Sequence, residues 1–314
     1  MIYLSCQPAI PRYTWEVEVY LENFILMGIN PKDIQVVLGY DETKPQLLED
    51  WRKLERHYKN VSFYFYTDTR EWDNDYPPSL QSHILSKHWK ENPWMAKEMV
   101  FFHDADVIFT RPFDFSPYLN DKIWYLSDTV SYIGSEYIQS KGERVLDKMC
   151  EVAKIDKQLV IDNQPNSGGA QKLIKFVPPQ YWDEVFDMSM NLWKEIPPLS
   201  AEIKKEKGNS YHVLQHWTMS MWGELWQAWK WGKPTKVVKE FDFHFAIDNI
   251  DTWEDKPFFH NAGVLGNQTD THFFKGLFDN KLPYGYELKN PNKDIVGWKY
   301  YQFIQEVGKK SVLI

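Results

Sequence analysis

Two carboxylates and a late histidine are the residues of this chain best spaced to do chemistry. Asp104 and Asp106 lie in "MVFFHDADVIFTRPFDF" (99–115), where an apolar run passes through His103 into Asp-Ala-Asp. Unpaired charge in a buried strand is costly, so a metal ion, a pair of cationic side chains or an exposed strand end must compensate it. In extended chain, side-chain direction repeats every two residues, so both aspartates point the same way. Two carboxylates on one side half-build a site for a hard divalent cation such as Mn²⁺ or Mg²⁺. His260 ends the apolar start of "FFHNAGVLG" (258–266) and is a candidate third ligand. Plainer readings exist: Asp-x-Asp arises by chance, the pair would also cap a strand end or bridge to Arg111, and a lone histidine is often structural. A second triplet, Asp73 to Asp75, has no strand before it and reads as a turn. "QPNSGGAQ" (164–171) is a polar, double-glycine element. Gly168 and Gly169 allow close backbone approach to a ligand or form an ordinary turn, and Asn166 can hydrogen-bond a sugar hydroxyl.

The elements that must position these residues follow from hydrophobic periodicity. "MIYLSC" (1–6), 33–40 and 61–68 read as strands. Helical spacing fills 12–28, with Gly28 as its stop, and 46–58. This alternation predicts a parallel, doubly wound sheet. A helix over 79–92 follows Pro77-Pro78, then come a strand from Met99 to His103 and another in "KIWYLSD" (122–128). Ligands of open parallel sheets sit beyond the carboxyl ends of strands, which is where Asp104 and Asp106 fall. Residues from about 170 to 230 read as mostly helical, 235–246 and 256–264 as strands, and 296–310 as a closing helix. "EIKKEKGNS" (202–210) is the best loop candidate, a surface turn or a lid.

Composition narrows the class. The chain has 314 residues, 43% of them hydrophobic, compatible with one large α/β domain. Its apolar runs fall far short of the roughly 20 residues needed to span a bilayer, and no signal peptide is read at the start. Two cysteines, Cys6 and Cys150, exclude a disulfide scaffold and favour a reducing, cytoplasmic setting. A net charge of −8 excludes a surface that is basic throughout but not a local basic groove. The 15 tryptophans suit a core and also ligands with flat faces, sugars or bases.

An apolar strand ending in Asp-x-Asp, a downstream Asn-x-Gly and a late His-x-x-Gly together resemble GT-A glycosyltransferases. The sequence is similar to the plant hydroxyproline O-arabinosyltransferases and peptidyl-serine O-galactosyltransferases, through "YTWEVEVY", "PPSLQSHILSKHW", "DADVIFTRPFDF", "GGAQKLIKFVPPQYWDEV", the tryptophan-rich stretch around Glu224, and "HNAG". The resemblance implies a single GT-A domain over 1–314, with 1–128 mainly binding the nucleotide sugar and 129–314 mainly on the acceptor side. It implies an enzyme that moves arabinose, galactose or glucose from a nucleoside-diphosphate sugar, UDP-linked, to a hydroxyl with retention. By the resemblance Asp106 and His260 ligate Mn²⁺ or Mg²⁺, and Asp104 faces the ribose or a water on the metal. Gln7 and Pro8 line the base pocket, Lys87 approaches ribose or phosphate, and Gly168 and Gly169 border the donor sugar. Asn166 and Gly263 belong to the same substrate-binding motifs, and Lys275 neutralises the leaving diphosphate. Asp162 and Glu224 are the carboxylates available as a catalytic base. Those plant enzymes are membrane-anchored; without an anchor this sequence reads as a bacterial or viral relative.

The acceptor stays open. A hydroxymethylated pyrimidine in DNA, as a bacteriophage enzyme would modify, is the leading expectation, since "KHWK" (87–90) and "WKWGKPTKVVK" (229–239) interleave basic and aromatic residues. A protein or cell-envelope hydroxyl is the alternative. Rival classes are a metal-dependent phosphoesterase, which needs more clustered ligands, and a non-catalytic sugar-binding protein.

Overall fold

A computed structural model describes residues 1–70 and 76–314, so the Asp73–Asp75 triplet lies outside the described residues. The chain opens with β1 (Ile2–Pro8), α1 (Pro11–Leu26), β2 (Ile34–Tyr40), α2 (Glu49–His57) and β3 (Ser62–Thr67). It continues with α3 (Ser79–Glu91), β4 (Met99–Phe102), β5 (Val107–Phe109) and β6 (Trp124–Asp128). Helices α4 (Val130–Ile133), α5 (Ser135–Ser140), α6 (Glu143–Ala153) and α7 (Lys157–Asp162) precede β7 (Gly168–Lys175). Then follow α8 (Pro179–Lys207), α9 (Met219–Lys230), β8 (Thr235–Val237), β9 (Phe243–Phe245), β10 (Phe258–His260) and α10 (Val296–Gly308).

These elements form two compact units. The first comprises Met1–Thr67, Phe102–Pro117 and Glu240–Ile314. Its strands β1, β2 and β3 are parallel in the order β3-β2-β1, as the strand–helix alternation predicts. Pro11 opens α1 at a position where its missing N–H costs nothing. The helix buries Trp15, Val19, Tyr20 and Phe24, and Gly28 at φ +86° takes the left-handed conformation just beyond its end. His103 is core: its ring meets Tyr20 edge-on at 5.0 Å and Phe24 at 4.8 Å. A small second sheet, β5-β10-β9, completes this unit. Asn23 of α1 fixes β5 by donating to the Phe109 carbonyl and accepting from the Phe109 N–H, at 3.0 and 2.8 Å.

The second unit comprises Asp68–Phe101 and Tyr118–Lys239. Its strand order is β4-β7-β6-β8, with β6 parallel to β8 and antiparallel to β7. Two expectations change here. Residues 168–175 are a strand rather than the start of a helical stretch. Residues 202–207 are not a loop but the last turns of α8. Ile203 is buried, and Arg144 of α6 bridges Glu202 and Glu206 at 2.5 and 3.0 Å, so an i, i+4 polar face is held by a neighbouring helix. Gly208 at φ +83° ends the helix. Among the described residues no helix is long and apolar enough to cross a membrane.

Candidate active site

The Asp-Ala-Asp segment is a turn, not extended chain. The His103 N–H still donates to Leu4 O at 3.1 Å, beside β1, but Ala105 and Asp106 then turn, with Val107 N–H directed to Asp104 O at 3.3 Å. The apolar run Val107–Phe109 therefore belongs to a different sheet from the run Met99–Phe102. That change of sheet brings the histidine in. β10 pairs antiparallel with β5 in the register Phe258↔Phe109, Phe259↔Ile108, His260↔Val107. The Asn261 N–H continues the ladder to Asp106 O at 3.1 Å. His260 thus stands beside Asp106 because of strand pairing, not sequence proximity.

The side chains converge. His260 Nε2 lies 3.3 Å from Asp106 Oδ1 and 3.8 Å from Asp104 Oδ2. One donor atom from each of Asp104, Asp106 and His260 lies within 4.8 Å of the others. Lys275, in the 3₁₀ turn Lys275–Phe278, places its Nζ on Asp106 Oδ2. Asp106 is buried, with 5% of its side chain exposed, whereas Asp104 is 46% exposed. Burial alone would raise the Asp106 pKa, but the charges of Lys275 and His260 and their hydrogen bonds hold it far below the usual carboxylate range. Burial pulls His260 down, and the charge and hydrogen bond of Asp106, with Asp104, more than reverse it. Lys275 is likewise raised: burial opposes its charge, and Asp106 and Glu16 outweigh burial.

Two carboxylates and one imidazole nitrogen are a donor set that suits Mn²⁺ or Mg²⁺. His260 Nδ1 is buried with no hydrogen-bond partner among the described residues, so Nε2 is the nitrogen turned toward the carboxylates. The residues present fit such an ion. Arg111 Nε donates to Glu254 O at 3.3 Å.

The other expected residues are distributed as follows. In the first unit, Gln7 lies on β1 opposite Leu38, and its amide is buried with neither atom hydrogen-bonded among the described residues. Pro8 ends the same strand. Gly263 sits at φ +92°, facing Ile247 and Phe245. In the second unit, Lys87 Nζ donates to Thr69 Oγ1 at 2.7 Å. Asn166 is in a 3₁₀ turn, and its carbonyl accepts from Thr235 Oγ1 at 3.3 Å. The glycine pair starts β7. A Cβ on Gly168 would overlap Leu126 and come 2.7 Å from Ser127 O, and one on Gly169 would come 2.6 Å from Met221 Cε. Close approach is thus required by neighbouring elements of this unit. Asp162 is exposed at the end of α7, accepting from Gln158 Nε2 at 2.7 Å. Glu224 is buried on α9 with Lys172 of β7 on its Oε2, and together with Gly168 and Gly169 they line a cavity of about 20 Å³. Asp162 is not among that cavity's lining residues. Trp89 and Trp229 are core residues, so in the interleaved basic segments these two rings offer no exposed stacking face.

Sequence reading missed Arg12 and Glu16 of α1. Glu16 is fully buried, accepts from Arg12 Nε at 3.2 Å, and burial together with the Asp106 charge outweighs Lys275 and Arg12 to push its pKa up to about 7. The available signal was a basic and an acidic residue at i, i+4 in the first two turns of the helix.

No protein-family model and no curated protein sequence matches this chain. Solved structures do. The bifunctional glycosyltransferase WbbM matches with a TM-score of 0.50 at 10% identity, over 99% of this chain and 50% of its own, so this chain spans about half the length of that structure. The galactosyltransferase LgtC, solved with donor and acceptor sugar analogues, matches with a TM-score of 0.46 at 10% identity, over 100% and 97% of the two chains. A glycosyltransferase involved in glycosylating the major capsid of PBCV-1 matches with a TM-score of 0.40 at 10% identity, over 89% and 97%. At such identity the WbbM likeness speaks for architecture: the chain has a mixed α/β fold of the GT-A glycosyltransferase type.

Proposed function

We propose that this chain is a metal-dependent glycosyltransferase that moves a sugar from a nucleoside-diphosphate sugar, UDP-linked, to a hydroxyl acceptor. The observation that carries the reading is the convergence of Asp104, Asp106 and His260 on one point, with Lys275 on Asp106. Such a cluster of opposite charges at a strand-end turn suits a ligand that brings both a cation and a diphosphate. Asp104, Asp106 and His260 would hold the divalent ion, which when bound supplies Lewis-acid stabilisation of the charge developing on the leaving diphosphate.

Lys275 adds a second, covalently fixed positive charge. Its ammonium rests on Asp106, where it would offer a charge partner to a diphosphate bound at that carboxylate's metal ion. The buried amide of Gln7 offers a donor and an acceptor to a base edge once a local rearrangement exposes it. Asp162 and Glu224 remain the candidates for accepting the acceptor's hydroxyl proton, and they differ in surroundings. Asp162 is exposed, whereas the Glu224 carboxylate is already engaged by Lys172 in the core. The transition state has oxocarbenium character, so loss of the leaving-group charge partners would be felt mainly in turnover.

The test is a donor screen with Mn²⁺, following nucleoside diphosphate release from UDP-glucose, UDP-galactose and UDP-arabinose. Metal-stimulated release that collapses in Asp106→Asn supports the reading. Metal-independent release, or release unchanged in Asp104→Asn and Asp106→Asn, removes it. Acceptors to compare are a hydroxyproline peptide, an envelope saccharide and hydroxymethylcytosine DNA. Of the aromatics in the basic segments, Trp89 and Trp229 are buried and Trp231 is exposed, so the acceptor screen decides among the three.

A further inference from the structure

The turn that carries Lys275 is gripped by the first two turns of α1. Arg12, Trp15 and Glu16 stand at i, i+3 and i+4, so they share one helix face. Arg12 is used twice: Nε donates to Glu16 Oε1 at 3.2 Å, and Nη1 donates to Asp279 Oδ1 at 3.4 Å. Asp279 directly follows the 3₁₀ turn Lys275–Phe278. Trp15 Nε1 points to the Phe278 carbonyl at 3.4 Å, and its ring meets Phe273 edge-on with centroids 5.8 Å apart. Phe273 and Phe278 stack on one another at 5.2 Å. The segment from Phe273 to Asp279 is therefore fastened at both ends, with Lys275 between the fastenings. A single 3₁₀ turn has poor internal hydrogen bonding and depends on such outside contacts for its geometry.

We infer that Arg12 is a positioning residue for Lys275: by joining Glu16 to Asp279, it fixes the turn that sets the Lys275 ammonium on Asp106. The planar guanidinium can serve two carboxyl groups in different directions at once, which a lysine ammonium on a flexible stem does less well. Glu16 also faces the charge of Lys275, so the same clamp sets the electrostatic surroundings of that ammonium. The consequence for ligand binding rests on the glycosyltransferase reading; the clamp itself does not.

Two measurements test the assignment. The first is amide hydrogen exchange over residues 274–279. Arg12→Gln should speed exchange there about tenfold while α10 stays protected, and Arg12→Lys should fall between the two. Asp279→Asn, which spares the Arg12–Glu16 contact, should reproduce the effect in part and serves if Arg12→Gln folds poorly. Unchanged protection of 274–279 in a folded variant overturns the inference. The second is a double-mutant cycle read by titration with UDP and Mn²⁺. Arg12→Gln and Lys275→Ala should each weaken binding about tenfold, and the double variant should bind no more weakly than Lys275→Ala. An additive loss of about a hundredfold overturns the inference, because Arg12 would then act independently of Lys275. Failure of the wild-type protein to bind UDP with Mn²⁺ would strike the glycosyltransferase reading instead, and exchange alone would then decide the role of Arg12.

Discussion

The first unit and the second each place charge in their interior, and they do so to different ends. In the first, Asp104, Asp106, His260 and Lys275 crowd together, acidic groups meeting a lysine and a histidine, and Asp104 keeps 46% of its side chain exposed. In the second, Lys172 faces Glu224 across β7 and α9, with side-chain exposures of only 11% and 10%. A buried pair of that kind balances its own charge and gains little or nothing over an apolar replacement. The cluster of the first unit is open on one side and presents three metal-type donors. Burial of charge alone does not mark a site; convergence of several donors at an accessible strand end does.

The largest expected effect breaks this comparison from the side of the cluster. Asp106→Asn should lower nucleoside diphosphate release by about 100-fold or more and abolish Mn²⁺ binding in a calorimetric titration. Glu224→Gln should leave Mn²⁺ affinity unchanged. Equal losses in both variants would erase the distinction between the units.

Next comes stability. Glu224→Ala removes the carboxylate on the buried Lys172 and should destabilise the protein by about 3 kcal/mol in denaturant unfolding. Replacing both partners by methionine should recover most of that loss. If the double variant were no better than Glu224→Ala, the pair would have a role beyond mutual neutralisation.

The smallest effect is a pH dependence in the first unit. Glu16 has a pKa of about 7 in the folded protein, above its ordinary value near 4.5. Between those values the folded state binds more protons than the unfolded one, so stability falls as pH rises through the window. Glu16→Gln should flatten that slope, which is worth on the order of 1–3 kcal/mol between pH 4.5 and pH 8. Parallel stability–pH curves for wild type and variant would show that Glu16 carries no such shift.

Much of the frame was legible in the sequence, because it rests on local pattern. Alternating apolar strands and amphipathic helices foretold the parallel arrangement of β1, β2 and β3, and Gly28 marked the end of α1. The stretch 202–207 misled because charged residues read as solvent-facing loop, while Arg144, distant in sequence, supports them as helix. The packing around the glycine pair was not legible for another reason. Its small size answers to Leu126, Ser127 and Met221, residues of neighbouring elements that no local window contains.

By itself the sequence determined the identities of the candidate groups: Asp104 and Asp106 two residues apart after an apolar run, and a histidine at the end of another. It could do so because residue type and short spacing fix what chemistry is possible. Only the tertiary structure decided which groups meet. The turn at Ala105–Asp106 replaces the expected extended chain, the β5–β10 register delivers His260 to Asp106, and α1 holds the turn that brings Lys275 onto the same carboxylate. Those meetings depend on strand register and on helix–turn packing between segments far apart in the chain, and such long-range contacts leave no periodicity in a linear sequence.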